Sequence, residues 1–242
     1  MHTTHVRNLF NLRWKKIAIL VLLVLHGLIC NAQSIYKRKF QEFYDDKKFH
    51  LGIQFGTAIT RFNITHSDAF MSRDSAYAIF SPAKSGINAG GIISYVLNDH
   101  FDLRFTPTLS LSGRAVTYRF NRGFEHTAFR DWTAWVDFPL LLKYKSQRRM
   151  NSRMYVVGGG QLSVETNVKR QQLAFNTLNS KSRDVSIVYG AGFEQFLEHS
   201  KLTLEIRFSH GLTNALQPAA NVYSVGIARM TTHTINIYLI FE

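Results

Sequence analysis

From Phe49 onward the chain alternates apolar and polar side chains with period two, in runs that hold the same phase for several positions. That period belongs to strands with one greasy face, because successive β side chains point to opposite sides of the pleat. Phe101, Leu103, Phe105, Pro107, Leu109 and Leu111 share one face, with Asp102, Arg104, Thr106, Thr108, Ser110 and Ser112 on the other. Trp132, Ala134, Val136, Phe138, Leu140, Leu142 and Tyr144 oppose Asp131, Thr133, Asp137, Lys143 and Lys145. Leu202, Leu204, Ile206 and Phe208 oppose Thr203, Glu205, Arg207 and Ser209. Val185, Ile187, Tyr189, Ala191 and Phe193 oppose Ser186, Gly190, Gly192 and Glu194, and the last run carries Ile235, Ile237, Leu239 and Phe241. Weaker runs lie around 51–55, 87–95 and 154–165, which makes eight in all. Several reach ten residues or more, whereas soluble strands average about five or six. A tilted strand of about 9–11 residues crosses a bilayer.

The connections alternate as well. Long segments (about 60–84, 113–130, 166–183 and 211–232) take turns with short ones (98–100, 146–152 and 198–200). Outer-membrane barrels have short periplasmic turns, longer outer loops and an even strand number. In hydrocarbon each unpaired backbone group costs several kcal/mol, so a spanning sheet must close on itself. A soluble sandwich also alternates, but the polar faces here mix Gly, Ser and Thr with single charges of both signs, the content of a narrow barrel interior. The expected fold is an all-β, eight-stranded antiparallel transmembrane β-barrel over 49–242, with both termini periplasmic in the outer membrane of a Gram-negative bacterium. Pro107 and Pro139 fall inside two of the best runs and, lacking an N–H, must sit at bulges or strand ends. Gly158, Gly159 and Gly160 suggest a bulge or bend.

The leading residues read as an address. Arg7, Arg13, Lys15 and Lys16 precede the apolar run Ile17–Leu25, and Cys30, Asn31, Ala32 and Gln33 follow, as in a cleaved secretory signal peptide over 1–33. Cleavage after Ala32 or after Gln33 fits; a retained anchor is opposed by His26 and Gly27, and acylation of Cys30 by bulky Ile29 before it. Cleavage removes four positive charges and the only cysteine, so a disulfide framework is excluded. Residues 34–48 are expected to be a periplasmic tether.

With 29 basic and 16 acidic residues the formal charge is +13, yet the basic residues lack the aromatic interleaving of nucleic-acid binders, and nucleic acid is not an expected partner. Asp102, Arg104, Asp137, Lys143, Glu194, Glu205 and Arg207 are expected to face the lumen. Isolated charges there are costly, so they should pair and fill the barrel as a plug rather than a channel. Lys145, Arg148, Arg149 and Arg153 form a basic periplasmic turn, joined by Lys37, Arg38 and Lys39, suited to lipid phosphates or an acidic protein. The ten histidines form no His-x-x-x-His or related cluster, and no metal, cofactor or small-molecule substrate is expected. Ser209 beside His210 is the one pair that could serve a lipid-cleaving barrel enzyme, but no third orienting group is evident and no enzyme activity is expected.

The segment Asp137–Lys145 with its basic turn and Tyr155–Gly160, the segment Phe101–Pro107 with Arg114 and Tyr118, and Leu204–Leu212 together resemble the PorT proteins of Bacteroidota, in the same order over about 49–242. The Asn-Ala-Gln ending of the leader is similar to that of exported proteins in the same group. The resemblance implies a non-enzymatic outer-membrane barrel required by the type IX secretion system, which exports cargo bearing a carboxyl-terminal sorting domain and is linked to gliding motility. Its partners are then outer-membrane lipids and other secretion subunits, and it carries over no catalytic residue. The alternatives are a general small barrel serving as anchor, adhesin or minor ligand carrier, and a lipid-modifying barrel enzyme.

Overall fold

The alternating runs become ten β segments: β1 (Phe49–His66), β2 (Ala78–Phe80), β3 (Lys84–Val96), β4 (Phe101–Phe105), β5 (Thr108–Arg119), β6 (Glu125–Lys145), β7 (Ser152–Glu165), β8 (Arg183–Phe196), β9 (Lys201–Gly211) and β10 (Ile227–Phe241). The computed structural model describes residues 38–67, 78–119, 125–166, 181–216 and 226–242, with the backbone alone over 125–132. The expected signal segment 1–33 lies outside the described residues, as do Lys37 and most of the loops. Residues 40–242 form one compact unit.

Every pairing is antiparallel, and β1 pairs with both β10 and β3, which closes the ring. β2 and β3 are two parts of one stave, as are β4 and β5, so ten segments make eight staves. The faces sort inside out relative to a soluble protein. Leu103, Phe138 and Leu204 are 38%, 40% and 53% exposed on the outside, while Arg104 and Glu205 are 0% exposed within. A water-soluble sandwich would show the reverse.

Phe49, Leu51, Ile53, Phe55 and Ile59 face outward along β1, and Arg61 is the first outward charge beyond them. At a rise of about 3.3 Å and a tilt of about 40°, the stretch from Phe49 to Ile59 spans roughly 25 Å, the height of an outer-membrane barrel's apolar band. Aromatic pairs mark its lower edge: Phe49–Tyr95 at 4.9 Å and Phe101–Tyr144 at 5.2 Å between ring centres. Such girdles sit where lipid tails give way to headgroups.

Two expectations about the wall are corrected. The long connection expected at 113–130 shrinks to 120–124, because β5 and β6 continue as a paired hairpin from Arg114↔Arg130 to Arg119↔Glu125. Residues 114–118 are buried on both faces, so the sequence loses its alternation there while the strand continues. The bulge expected at Gly158–Gly160 is absent, and those residues pair in unbroken register with both β6 and β8. Gly159 instead permits close approach: a Cβ there would lie 2.1 Å from the Leu140 carbonyl oxygen. The register shifts fall at Thr65/His66 and Ser112/Arg114.

The prolines sit where hydroxyls replace the missing ladder bonds. Pro107 lies in the gap between β4 and β5, and Pro139 stays within β6, directly across that gap. The Thr106 N–H donates to the Pro139 carbonyl at 3.2 Å, but Pro139 has no N–H to return. The Thr108 hydroxyl supplies that bond, donating to the Thr106 carbonyl at 2.8 Å. Between β2 and β3, beside Pro82, the Ser81 hydroxyl accepts from Phe62 N–H at 3.1 Å and donates to the Ala115 carbonyl at 2.7 Å. Buried backbone groups are thereby satisfied without a free sheet edge.

Candidate functional site

Inward side chains fill the barrel in layers. The end carrying the short turns holds the charges. Glu194 on β8 faces Arg153 on β7 directly across the ladder and accepts from its Nε at 2.7 Å. The same carboxylate accepts from Lys201 at 3.1 Å and pairs with Lys143. Lys143 lies 3.7 Å from Asp102, its cross-strand neighbour, and Lys145 donates to Asp102 at 2.8 Å. Lys201 also pairs with Glu242, the last residue in the sequence.

One layer further in, Glu205 takes Arg104 at 2.9 Å and also bonds Arg207 and the Tyr155 hydroxyl. Arg104 reaches Glu242 at 3.4 Å and Ser94 at 3.2 Å. Arg207 spends its remaining donors on Thr106 at 3.2 Å and Gln54 at 3.1 Å and lies 4.5 Å over the Tyr238 ring. Tyr155, Gly192 and Glu205 form one row across β7, β8 and β9. The tyrosine ring occupies the place of a Cβ at position 192, which would meet it at 2.3 Å. Burying charge is tolerable only with partners on every polar atom, and this network supplies them.

Residues 40–48, expected as a tether, dock against the mouth of the network. Arg153 donates to Asp45 at 2.8 Å and Tyr44 donates to Glu242 at 2.6 Å. The Tyr44 ring stacks on His50 at 4.1 Å and meets Phe196 edge-on. Phe40 N–H donates to Asn151 at 2.8 Å. Burial, reinforced by the Glu242 carboxylate, pushes the Tyr44 phenol well above its ordinary range, so it stays a donor. For Asp45, burial opposes ionisation, but the Arg153 guanidinium outweighs it and holds the carboxyl below its usual value.

Beyond the charges the lumen is neutral and polar. Asn88 donates to Asn236 at 2.8 Å, Ser110 to Asp137 at 2.6 Å, and Ser209 to Ser186 at 3.0 Å. A cavity of about 30 Å³ remains there, enough for a water molecule or two and far below the several hundred Å³ of a ligand site. At the long-loop end Phe62, Ile79, Val116, Tyr118, Leu216 and Met230 close the interior with an apolar cluster.

All seven expected lumen charges point inward, and six of them join this network. Asp137 stands apart, bonded to Ser110. The basic turn is corrected: Lys145 and Arg153 lie in strands with 2% and 5% exposure and belong to the lumen. Each keeps the inward phase of its strand, Lys145 with Lys143 and Arg153 with Tyr155, and the nearby carboxylates stabilise them inside. Only Arg148 and Arg149 occupy the turn. Arg148 donates to the Gln41 carbonyl at 3.0 Å and also to Phe40, holding the docked segment. Tyr155, Lys201 and Glu242 were not among the expected site residues, although the phase of β9 and β10 marks the last two as inward. Ser209 and His210 do not form a dyad. Adjacent strand residues face opposite sides, so Ser209 points into the lumen while His210 meets Tyr189 at 2.9 Å and His233 at 2.5 Å on the outside.

No curated protein sequence matches the chain. Among solved structures it is similar to the outer membrane protein OprG from Pseudomonas aeruginosa, at 14% identity and a TM-score of 0.48, covering 79% of this chain and 92% of that one. The family model for the outer membrane protein beta-barrel domain matches residues 31–217, and with its apolar girdle outside and its charges within, the chain belongs to that family of outer-membrane barrels.

Proposed function

We propose that this barrel is a non-enzymatic component or assembly factor of the type IX secretion system in a bacterium of the Bacteroidota, serving as a rigid platform for other secretion subunits. Both termini, the short turns and the docked segment 40–48 then face the periplasm, and the long loops face outward. The observation that carries the reading is the sealed lumen. Among the described residues, charges pack one end, an apolar cluster fills the other, and the cavity between them holds only a water or two, which supports a barrel that does not conduct solutes. Its useful surfaces are its ends and its outer wall, and binding residues tend to sit on loops held by a rigid scaffold. The resemblance to PorT proteins, carried by segments of β4–β7 and β9 over about 49–242, supplies the system. The separation of Ser209 from His210 across the wall supports a role without catalysis.

Deleting the gene should leave sorting-domain cargo trapped in the periplasm, with gliding impaired where the host glides, and the intact gene should restore both. Normal export in the deletant would refute the assignment. The broad family match favours a second reading, a small barrel serving as membrane anchor or adhesin. It predicts an adhesion defect with cargo export intact.

A further inference from the structure

On the outer wall at the turn end, beside the sealed lumen, lies a groove of about 710 Å³ lined by His100, Tyr144, Arg149, Ser152, Met154 and Phe193. Its floor is apolar. Tyr144, Met154 and Phe193 are exposed there and continue the lipid-facing row of Leu140 and Leu142. Its rim is cationic and polar. Backbone bonds between Arg149 and Ser152, at 2.9 and 3.0 Å, fix the turn that presents the exposed Arg149 side chain. The two neighbouring guanidiniums divide their work. Arg148 turns toward the docked segment and lies 3.7 Å over the Phe196 ring, whereas Arg149 stays at the groove. His100 stacks with Tyr144 at 6.2 Å, and Tyr144 belongs to the aromatic girdle.

We propose that this groove seats an anionic phospholipid, with its phosphate between Arg149 and His100 and its acyl chains along Tyr144, Met154 and Phe193. The height is right, because the girdle marks the level at which tails give way to headgroups. The charge is right, because a guanidinium presents a planar fork of donors to phosphate oxygens. An acidic protein is the less suitable occupant. The groove floor continues the lipid-facing wall, where a water-soluble partner does not reach. The proposal does not depend on the secretion reading.

Native mass spectrometry of the full-length barrel in a mild detergent tests it, with phosphatidylglycerol, phosphatidylcholine or inorganic phosphate added. The wild type should retain one phosphatidylglycerol in preference to phosphatidylcholine, unaffected by millimolar phosphate. Arg149→Gln should weaken retention roughly tenfold, the loss of one charge-assisted hydrogen bond. Arg148→Gln removes the same charge one residue away and should leave retention unchanged. Heat-modifiable migration checks that each variant is folded. Equal retention by wild type and Arg149→Gln overturns the proposal, and so does an equal loss in Arg148→Gln, which would reduce the site to diffuse charge. Displacement of the lipid by inorganic phosphate overturns it in favour of a free-anion site. An Arg149→Gln protein that keeps its lipid but loses a co-purifying acidic protein overturns it in favour of a protein contact.

Discussion

Glu194 is the hub of the lumen, and its neutralisation tests whether ion pairing holds the barrel closed. The carboxylate is wholly buried and takes Arg153 at 2.7 Å, Lys201 at 3.1 Å and Lys143. At an effective dielectric near 20, an ion pair at about 3 Å is worth roughly 5 kcal/mol of attraction. Much of that offsets the desolvation of the two ions, and each cation keeps a second carboxylate: Asp45 for Arg153, Glu242 for Lys201 and Asp102 for Lys143. Glu194→Gln keeps the shape and removes the charge, so three cations crowd a neutral amide. The expected loss is about 3–5 kcal/mol, the cost of breaking a buried ion pair from one side. Urea unfolding in detergent micelles, followed by tryptophan fluorescence, reads it as a lower midpoint at unchanged slope. Adding Lys143→Met removes one of the three crowded cations and leaves Asp102 paired with Lys145, and it should recover at least about 1 kcal/mol of the loss. A single variant within about 1 kcal/mol of wild type, or a double variant worse than the sum of its parts, would refute the claim that this network stabilises the fold.

Leu204→Arg, near the middle of the apolar band on β9, should cost about 2–4 kcal/mol in a bilayer, as a charge on the lipid face does; a neutral result would mean that the face is wet. Gly192→Ala should push the Tyr155 ring off its row and break its bond to Glu205, lowering stability by about 1–3 kcal/mol, with the effect lost when Tyr155 is already Ala and no ring is there to be struck. The docked segment should loosen in acid. Because the Asp45 carboxyl titrates below its ordinary 3.8 when folded, ionised Asp45 stabilises docking above that range, and the contribution is lost as pH falls through the lowered value. Asp45→Asn should therefore speed hydrogen exchange over 40–48 at neutral pH, and unchanged protection would show that Arg153 does not hold the segment. In planar bilayers the wild-type barrel should pass no steady current, and a stable ohmic conductance would contradict the sealed lumen.

The parts of this molecule that were legible in its sequence are those where one physical demand acts alone. Within the bilayer, lipid outside and a packed lumen inside force strict alternation, so Asp102, Arg104, Glu194, Glu205 and Arg207 could be placed inward from phase alone. Where the wall leaves the bilayer the demand lapses. Residues 114–118 are buried on both faces, their period vanishes, and a strand reads as a loop. Lys145 and Arg153 are hidden from a sequence reading for a different reason. Proximity to a turn suggested solvent, while the carboxylates that hold them inside, Asp102, Glu194 and Asp45, lie 41 to 108 residues away in the chain. Composition shows a charge but not its partner across the ring.

The prolines show how a closed wall absorbs such conflicts. A proline in a soluble sheet can retreat to an edge, but a ring has none, so every missing N–H must be answered on the spot. Pro139 is answered by a hydroxyl one strand away, and the break beside Pro82 by a serine that bonds both neighbouring staves. Thr108 and Ser81 are therefore structural partners of the prolines, each adjoining one in sequence, Pro107 and Pro82. Thr108→Val keeps the shape and removes the hydroxyl. It strands the Thr106 carbonyl inside a dry wall and also removes the acceptor of the Gln54 amide at 2.6 Å. One orphaned buried group costs about 1–3 kcal/mol, so the substitution should cost more than an ordinary isosteric change. Pairing Thr108→Val with Pro139→Ala returns an N–H to the Thr106 carbonyl and should recover part of that loss. If the pair were merely additive, the hydroxyl would not be replacing the ladder bond, and the account of how this barrel tolerates proline would fail.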